Sequence, residues 1–421
     1  MKPWFELPRR CAAAALTAAL LLAACGGGGS DNAPATAIPV APSLPGSPVT
    51  DPLAGAQPPS SSVAGMCTPA AEKQFVRSYL DEVYLWYDEV PPLNPASYGT
   101  AADYFRALLV SQPDRTGQPR DRFSAVLTSS GAAALQPRSP ALSAVLAADE
   151  ATAAVPLTKT LASPGGRQVG YVLFNDHSSG SQDALVASFT ALRQAAVQDL
   201  VLDMRYNSGG FLYVARTAAS MVTGPESEGR VFEQLRYNKK RESESNASTY
   251  LFSSRVQSAE PRSPAGTTLP QLGLRRLYVL ASELTCSASE SIINSLRGID
   301  VQVILVGQTT CGKPYGFRRK DNCGLAFYPI EFQGYNAKNY GDFIEGFAPT
   351  CPVRDNPDKA LGAADEPLLA AALHHADTGA CPASADGDLR KDRLAGGMSM
   401  APRIHAPLQS RSFRDGKLLR P

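Results

Sequence analysis

The sequence predicts an α/β protein: βαβ units with parallel strands, preceded by a helical N-terminal subdomain. Three observations carry this. Short apolar runs at 169–174 (VGYVLF), 200–205 (LVLDMR), 277–281 (LYVLA) and 301–306 (VQVILV) read as strands, several of the near-continuous apolar kind that parallel sheets bury on both faces. Segments with one apolar helical face alternate with them at 183–197, 211–222 and 287–296. Ahead of all of these, Phe75, Tyr79, Val83, Trp86 and Val90 recur every three or four residues, the stripe of a packed helix.

Taken in chain order, residues 1–24 are a targeting segment. Lys2, Arg9 and Arg10 form a positive start, and 11–24 is almost wholly Ala and Leu. That run is shorter than the ~20 residues a spanning helix needs, and it suits a signal peptide. It ends Leu22-Ala23-Ala24-Cys25-Gly26, which resembles a bacterial lipobox with Cys25 as the lipidated residue; the alternative is an ordinary cleavage site that contains a Cys. Export implies an oxidising compartment. Residues 25–66 are rich in Gly, Pro, Ser and Ala without apolar period, a tether that would span roughly 35 Å as a flexible coil.

The helical subdomain is expected over 67–130. Pro91-Pro92 is expected to stop its first helix, and Tyr104, Phe105, Leu108 and Leu109 mark a second. Residues 131–166 show little period and read as a connector. The α/β core is expected over 167–382, closing with a strand at 325–332 and a helix at 366–374. Residues 383–421 form a polar tail: 382–421 hold eight Arg or Lys against four Asp. That excess reads as a solvated tail or, alternatively, as a contact for an anionic surface.

Charge narrows the function classes. Forty basic and 39 acidic residues give a net charge of +1, so the chain lacks the basic balance of a nucleic-acid binder. Setting aside Cys11 and Cys25, six cysteines remain: Cys67, Cys286, Cys311, Cys323, Cys351 and Cys381. An even number in an exported chain predicts disulfides, with 15 possible pairings. Nearness in sequence favours Cys311–Cys323 and Cys351–Cys381, leaving Cys67–Cys286. No CxxC or CxH spacing supports a metal, and no cofactor motif is present.

Three segments each lie just past a strand end, where open parallel sheets build their sites. Residues 203–210 read DMRYNSGG, a tight turn whose glycines permit close backbone approach. Residues 285–290 read TCSASE; Ser287 and Glu290 form a capping box, yet a serine at a helix start also sits among free amides that favour negative charge. Residues 307–313 read GQTTCGK, and Pro314 in place of Ser or Thr excludes a phosphate loop. A lysine held there would be desolvated. There is no G-x-S-x-G elbow. His177 after the first core strand reads as an exposed loop residue, with pairing to a serine as the alternative; His374, His375 and His405 read as surface groups.

Together the three segments resemble the C-terminal processing peptidases, or tail-specific proteases, whose members carry S-A-S-E, T-x-G-K and an upstream D-x-R-x-N-x-G-G. Ser287 and Lys313 are 26 residues apart here, and the resemblance covers roughly 67–382. It implies a ClpP/crotonase-like core, peptide-bond hydrolysis in protein or peptide substrates, Ser287 as nucleophile and Lys313 as general base. The amides of Ala288 and Gly210, or Gly209, would form the oxyanion hole. The chemistry is coherent. A lysine at pKa ~10.4 is neutral about 0.04% of the time at pH 7, and lowering its pKa to ~8 raises that to about 10% for roughly 3 kcal/mol of folding energy. Two departures stand out. Many members have a Gln four residues after the Lys, where this chain has Phe317. They also carry a PDZ domain, for which the roughly 45 residues between Ser124 and Val169 are too few. The expectation is a lipid-anchored serine-type peptidase of the cell envelope. The alternative is a catalytically inactive binding or scaffold lipoprotein on the same fold.

Overall fold

The computed structural model describes residues 57–134, 153–383 and 417–418. The segment expected to be a signal peptide, Cys25, most of the expected tether and His405 lie outside these residues.

The N-terminal part comprises α1 (Pro69–Val83), α2 (Ala101–Leu108), β1 (Ala125–Thr128) and α3 (Ser129–Ala134). The core continues with β2 (Leu157–Ala162), β3 (Gln168–Leu173), α4 (Ser181–Gln194), β4 (Asp199–Asp203), β5 (Gly210–Phe211) and α5 (Leu212–Val222). Next come β6 (Val231–Tyr237), α6 (Glu242–Ala247), β7 (Thr249–Leu251), β8 (Arg276–Ala281), α7 (Ala288–Gly298) and β9 (Gln302–Gly307). The last group is β10 (Tyr315–Phe317), β11 (Lys320–Asn322), β12 (Leu325–Tyr328), β13 (Phe332–Tyr335), β14 (Cys351–Pro352), α8 (Pro367–Thr378) and β15 (Lys417–Leu418).

The central sheet runs β14-β9-β8-β4-β3-β2. Neighbouring strands from β14 to β3 pair in parallel, and β2 closes the edge antiparallel. Side chains alternate across the sheet, as strand geometry requires. Val172, Leu200, Leu202, Leu277, Val279 and Leu305 pack on one face with α4, α5 and α7. Val169, Tyr171, Val201, Tyr278, Leu280 and Ile304 pack on the other with α8. Burial on both faces explains why these strands read as continuous apolar runs. Helix α8 starts where Glu366 accepts from the amides of Leu368 and Leu369 with Pro367 in its first turn, and stops at Gly379 in the left-handed conformation.

A second sheet runs β5-β15-β10-β13-β6-β7, and a third β1-β12-β11. The N-terminal helices pack Phe75, Tyr79, Tyr104 and Phe105 against Phe327 of β12 and the β10 residues Tyr315 and Phe317 in one separate apolar cluster.

Several expectations are corrected. Helix α1 ends at Val83, before Pro91, because Tyr84 turns to extended backbone; its hydroxyl donates to Asp121, and Trp86 and Val90 flank a short 3-10 turn at Tyr87–Glu89. The segment 325–332 divides into two strands. Part of the presumed connector is the edge strand β2, whose half-exposed LTKTLA leaves little apolar signal. Residues 57–66 belong to the body rather than the tether: Ser60 is buried and its hydroxyl donates to Glu82 at 2.7 Å. His375 is buried, with Nδ1 3.1 Å from the Tyr278 hydroxyl; His374 is exposed.

The disulfides are Cys67–Cys323, Cys286–Cys311 and Cys351–Cys381. Only the last matches the pairing favoured by nearness. Cys286 and Cys311 follow the adjacent parallel strands β8 and β9, so a crossover of 25 residues brings them together. Cys323 sits in the β11–β12 turn facing the start of the helical subdomain, which selects Cys67. No helix among the described residues is long and apolar enough to cross a membrane.

Candidate active site

Strands β4, β8 and β9 end side by side, so their following loops gather on one edge of the sheet. The loop after β8 delivers Ser287 immediately before α7. Its backbone has φ +56° and ψ −110°, a conformation that a serine adopts only under strain. Its side chain is fully buried, and Oγ has no hydrogen-bond partner. Ser287 and Glu290 keep the outline of the expected capping box, and the Glu290 carboxylate accepts from the Ser287 amide at 2.9 Å. The hydroxyl, however, is left for other use. A buried, unpaired hydroxyl costs about 1–3 kcal/mol, a cost that a site tolerates where the group has work to do.

Glu290 also governs the second loop. Its Oε2 accepts from the Lys313 amide at 2.9 Å, and its Oε1 accepts from the Gly312 amide at 2.8 Å and from the Thr310 hydroxyl at 2.6 Å. Burial pushes the Glu290 carboxyl above the usual range, and these donors act in the opposite direction. Because Ser287 and Lys313 share Oε2 at 2.9 Å each, their amide nitrogens lie within twice that distance of one another. The Cys286–Cys311 disulfide and a Cys311 amide to Thr285 carbonyl bond of 3.0 Å clamp the same two loops together. The Lys313 side chain is fully buried, with Nζ 5.1 Å from the Phe123 ring centre and 4.7 Å from that of Phe317. The residue standing where many relatives have Gln is therefore a wall of the lysine pocket. Phe123 brings the helical subdomain into that wall.

The third loop contributes Gly209 and Gly210, at φ +101° and +135°. A Cβ on Gly209 would lie 3.0 Å from the Ser287 Cβ and 2.9 Å from the Cys286 carbonyl oxygen; one on Gly210 would lie 2.8 Å from the His177 carbonyl oxygen. Only glycine lets this backbone approach the serine so closely. Asn207 holds the turn. Its Nδ2 donates to the Phe174 carbonyl, which leaves Oδ1 to accept from the Gly209 amide at 3.0 Å and to meet His177 Nδ1 at 3.0 Å. The Gly209 amide is thus engaged. The Ala288 amide, first in α7, has no intrahelical acceptor.

His177 is not exposed, as the sequence suggested, but completely buried. Since Asn207 Oδ1 is an acceptor, Nδ1 carries the proton. Nε2 is buried without a partner, and burial pushes the imidazole pKa down to about 3. His177 is a neutral support for the glycine turn, with its ring centre 4.4 Å from that of Phe174.

Within Asp203-x-Arg205 the charges are structural. Arg205 is completely buried and bonds Asp203, Asp355 and Glu366, tying the end of β4 to the start of α8. Tyr171 donates to the same Asp203 at 2.7 Å, and burial raises the Asp203 carboxyl above its ordinary range. Cys286, Glu290 and Cys311 bring potential metal-donor atoms close together, but both sulfurs are in a disulfide and the carboxylate is occupied by backbone amides, so the cluster does not fit a metal ion. The sequence reading missed Glu290 as an organiser, Phe123 as a pocket wall, and Asn207 and His177 as supports. Glu290 and Asn207 had a legible signal, the capping box and the Asn of the D-x-R-x-N-x-G-G segment.

A parallel α/β core, a helical N-terminal part and three motif loops on one sheet edge define a peptidase-type α/β fold. The model of peptidase family S41 matches residues 168–353, and that of the peptidase S41 N-terminal domain matches 71–125. The chain belongs to peptidase family S41, among the C-terminal processing peptidases. A carboxyl-terminal-processing protease of Picosynechococcus sp. is 25% identical over 181 residues, which span 42% of this chain and 38% of that relative. A solved structure of a Bacteroides fragilis protein assigned to the S41 proteases aligns at TM-score 0.57 and 19% identity, covering 72% of this chain and 97% of that one, a likeness of fold.

Proposed function

We propose that the protein is a serine-type endopeptidase, exported and lipid-anchored through Cys25 in a bacterial cell envelope, that hydrolyses peptide bonds in protein substrates. Ser287 is the nucleophile and Lys313 the general base. The observation that carries this reading is the Ser287 hydroxyl: buried, unpaired and held on a strained turn whose amide shares one carboxylate with the Lys313 loop.

The steps follow from those positions. The Lys313 amine takes the proton of Ser287 Oγ as Oγ attacks the substrate carbonyl. The oxyanion is met by the amides of Ala288, at the positive end of α7, and Gly210; Gly209 is excluded by its bond to Asn207. Lys313 then returns the proton to the leaving amine, and water resolves the acyl-enzyme by the same route. The shared Glu290 carboxylate and the Cys286–Cys311 bridge, which join the two loops, support this pairing.

The test uses residues 26–421, disulfides intact, with casein as substrate. Wild type is expected to cleave it, and Ser287→Ala and Lys313→Ala to be inactive while still unfolding in one cooperative transition. Retained cleavage in purified Ser287→Ala removes the nucleophile. Failure of the wild type on casein and on a library of unstructured peptides favours the binding or scaffold reading, to which Phe317 at the Gln position gives its one specific support.

A further inference from the structure

The C-terminal residues Lys417–Leu418 form β15, and its place in the second sheet is unexpected for a polar tail. It lies between β5 and β10 and pairs in parallel with both: Lys417 stands opposite Gly210 and Gly316, and Leu418 opposite Phe211 and Phe317. These flanking strands are the walls of the site. β5 directly follows Gly209, whose Cα faces Ser287, and β10 begins two residues after Lys313. Strands β5 and β10 do not pair with each other; β15 fills a gap one strand wide, of the kind that takes an extended peptide by main-chain pairing.

We propose that this slot is the peptide-binding groove and that the chain's own C-terminal strand occupies it in cis, as an intramolecular competitor of substrate. The proposal rests on the peptidase reading. The register supports an occupant recognised through its backbone. Opposite Lys417 both flanking strands present glycine, Gly210 and Gly316, so the walls of the slot carry no Cβ at that level. Substrates would then be extended, unstructured protein segments with little sequence demand at that position, and the tail would set how readily they enter. The size of the effect follows from tethering. A segment tethered on the same chain is presented at an effective concentration of about 1 mM; if the free segment binds at ~0.1 mM, the occupied groove weakens substrate roughly tenfold.

Proline breaks the strand, because it lacks the N–H and β15 is paired on both sides. The test compares the full chain with Leu418→Pro, with Lys417→Pro as a second variant and Ser410→Pro as a control outside the strand. For binding, each also carries Ser287→Ala, and the probe is a fluorescein-labelled peptide of residues 412–421 (SFRDGKLLRP). The peptide is expected to bind the strand-breaking variants about tenfold more tightly than the unbroken chain, and casein cleavage at low substrate is expected to rise about tenfold in the active forms. Equal binding to all chains, or none to the proline variants, overturns the proposal. A binding difference without cleavage by any form retains the tail as an occupant of the groove and refutes the peptidase reading instead. Cleavage unchanged by either proline refutes the tail and leaves the peptidase.

Discussion

If Ser287 and Lys313 react as proposed, removing the Cys286–Cys311 bridge separates a staple that positions them from one that only stabilises. The bridge closes a loop of 25 residues, and Cys351–Cys381 closes one of 30. Loop-closure entropy makes the two nearly equal, about 3.5 and about 3.6 kcal/mol. Their positions differ: Cys286 adjoins Ser287 and Cys311 precedes Lys313 by two residues, whereas Cys351 lies in β14 and Cys381 follows α8. The double variants Cys286→Ala/Cys311→Ala and Cys351→Ala/Cys381→Ala should therefore lose similar stability in guanidinium unfolding. Activity should diverge. A displacement of about 1 Å between reacting groups costs on the order of 10²-fold, so kcat on casein should fall by that order only in the first variant, measured well below both melting points. Equal kcat losses in the two folded variants, or full activity without Cys286–Cys311, would refute the argument that this disulfide holds the site.

Two further outcomes follow from buried polar groups. Glu290→Gln replaces one acceptor oxygen by a donor and leaves two donors of its set unsatisfied, among Ser287, Lys313, Gly312 and Thr310. At about 1–3 kcal/mol each, stability should fall by roughly 2–6 kcal/mol with loss of cleavage; a stable, active Glu290→Gln enzyme would contradict the shared anchor. His177 has a folded pKa of about 3 against an unfolded value of 6.5, so between those pH values the unfolded chain binds the extra proton. Stability from this group is complete above the unfolded pKa and is lost as pH falls, by up to about 1.4 kcal/mol per pH unit. Unfolding followed from pH 6 to 4 should show that slope, and His177→Phe should be shallower by about one proton; identical slopes would place His177 in water.

Much of the core was legible because parallel strands buried on both faces write themselves as apolar runs and their helices as one-faced segments. The edge strand β2 was not, because an edge is half exposed and needs no continuous apolar signal. Disulfide partners were misread for a related reason. Nearness along the chain is a poor guide where a crossover places residues 25 apart on adjacent strands, or a hairpin carries Cys323 to Cys67 across 256 residues. His177 read as exposed because its surroundings come from elsewhere: Asn207 and the Gly209–Gly210 turn are distant in sequence and meet it only through the β3–β4 pairing.

The candidate site shows why a modest structural reading and a functional one need not compete. Ser287 and Glu290 form a pattern that starts ordinary helices, and taken alone that pattern explains both residues. In the fold the glutamate caps the helix through the Ser287 amide, and the same carboxylate gathers the amides of Gly312 and Lys313 from the neighbouring strand's loop. The serine hydroxyl, which an ordinary capping box would use, is left unpaired. A helix start on a strained residue whose glutamate also binds a second loop does more than cap: one carboxylate joins the loops that carry Ser287 and Lys313. Phe317, at the position where many relatives have Gln, walls the Lys313 side chain together with Phe123, while Glu290 holds the Lys313 backbone amide.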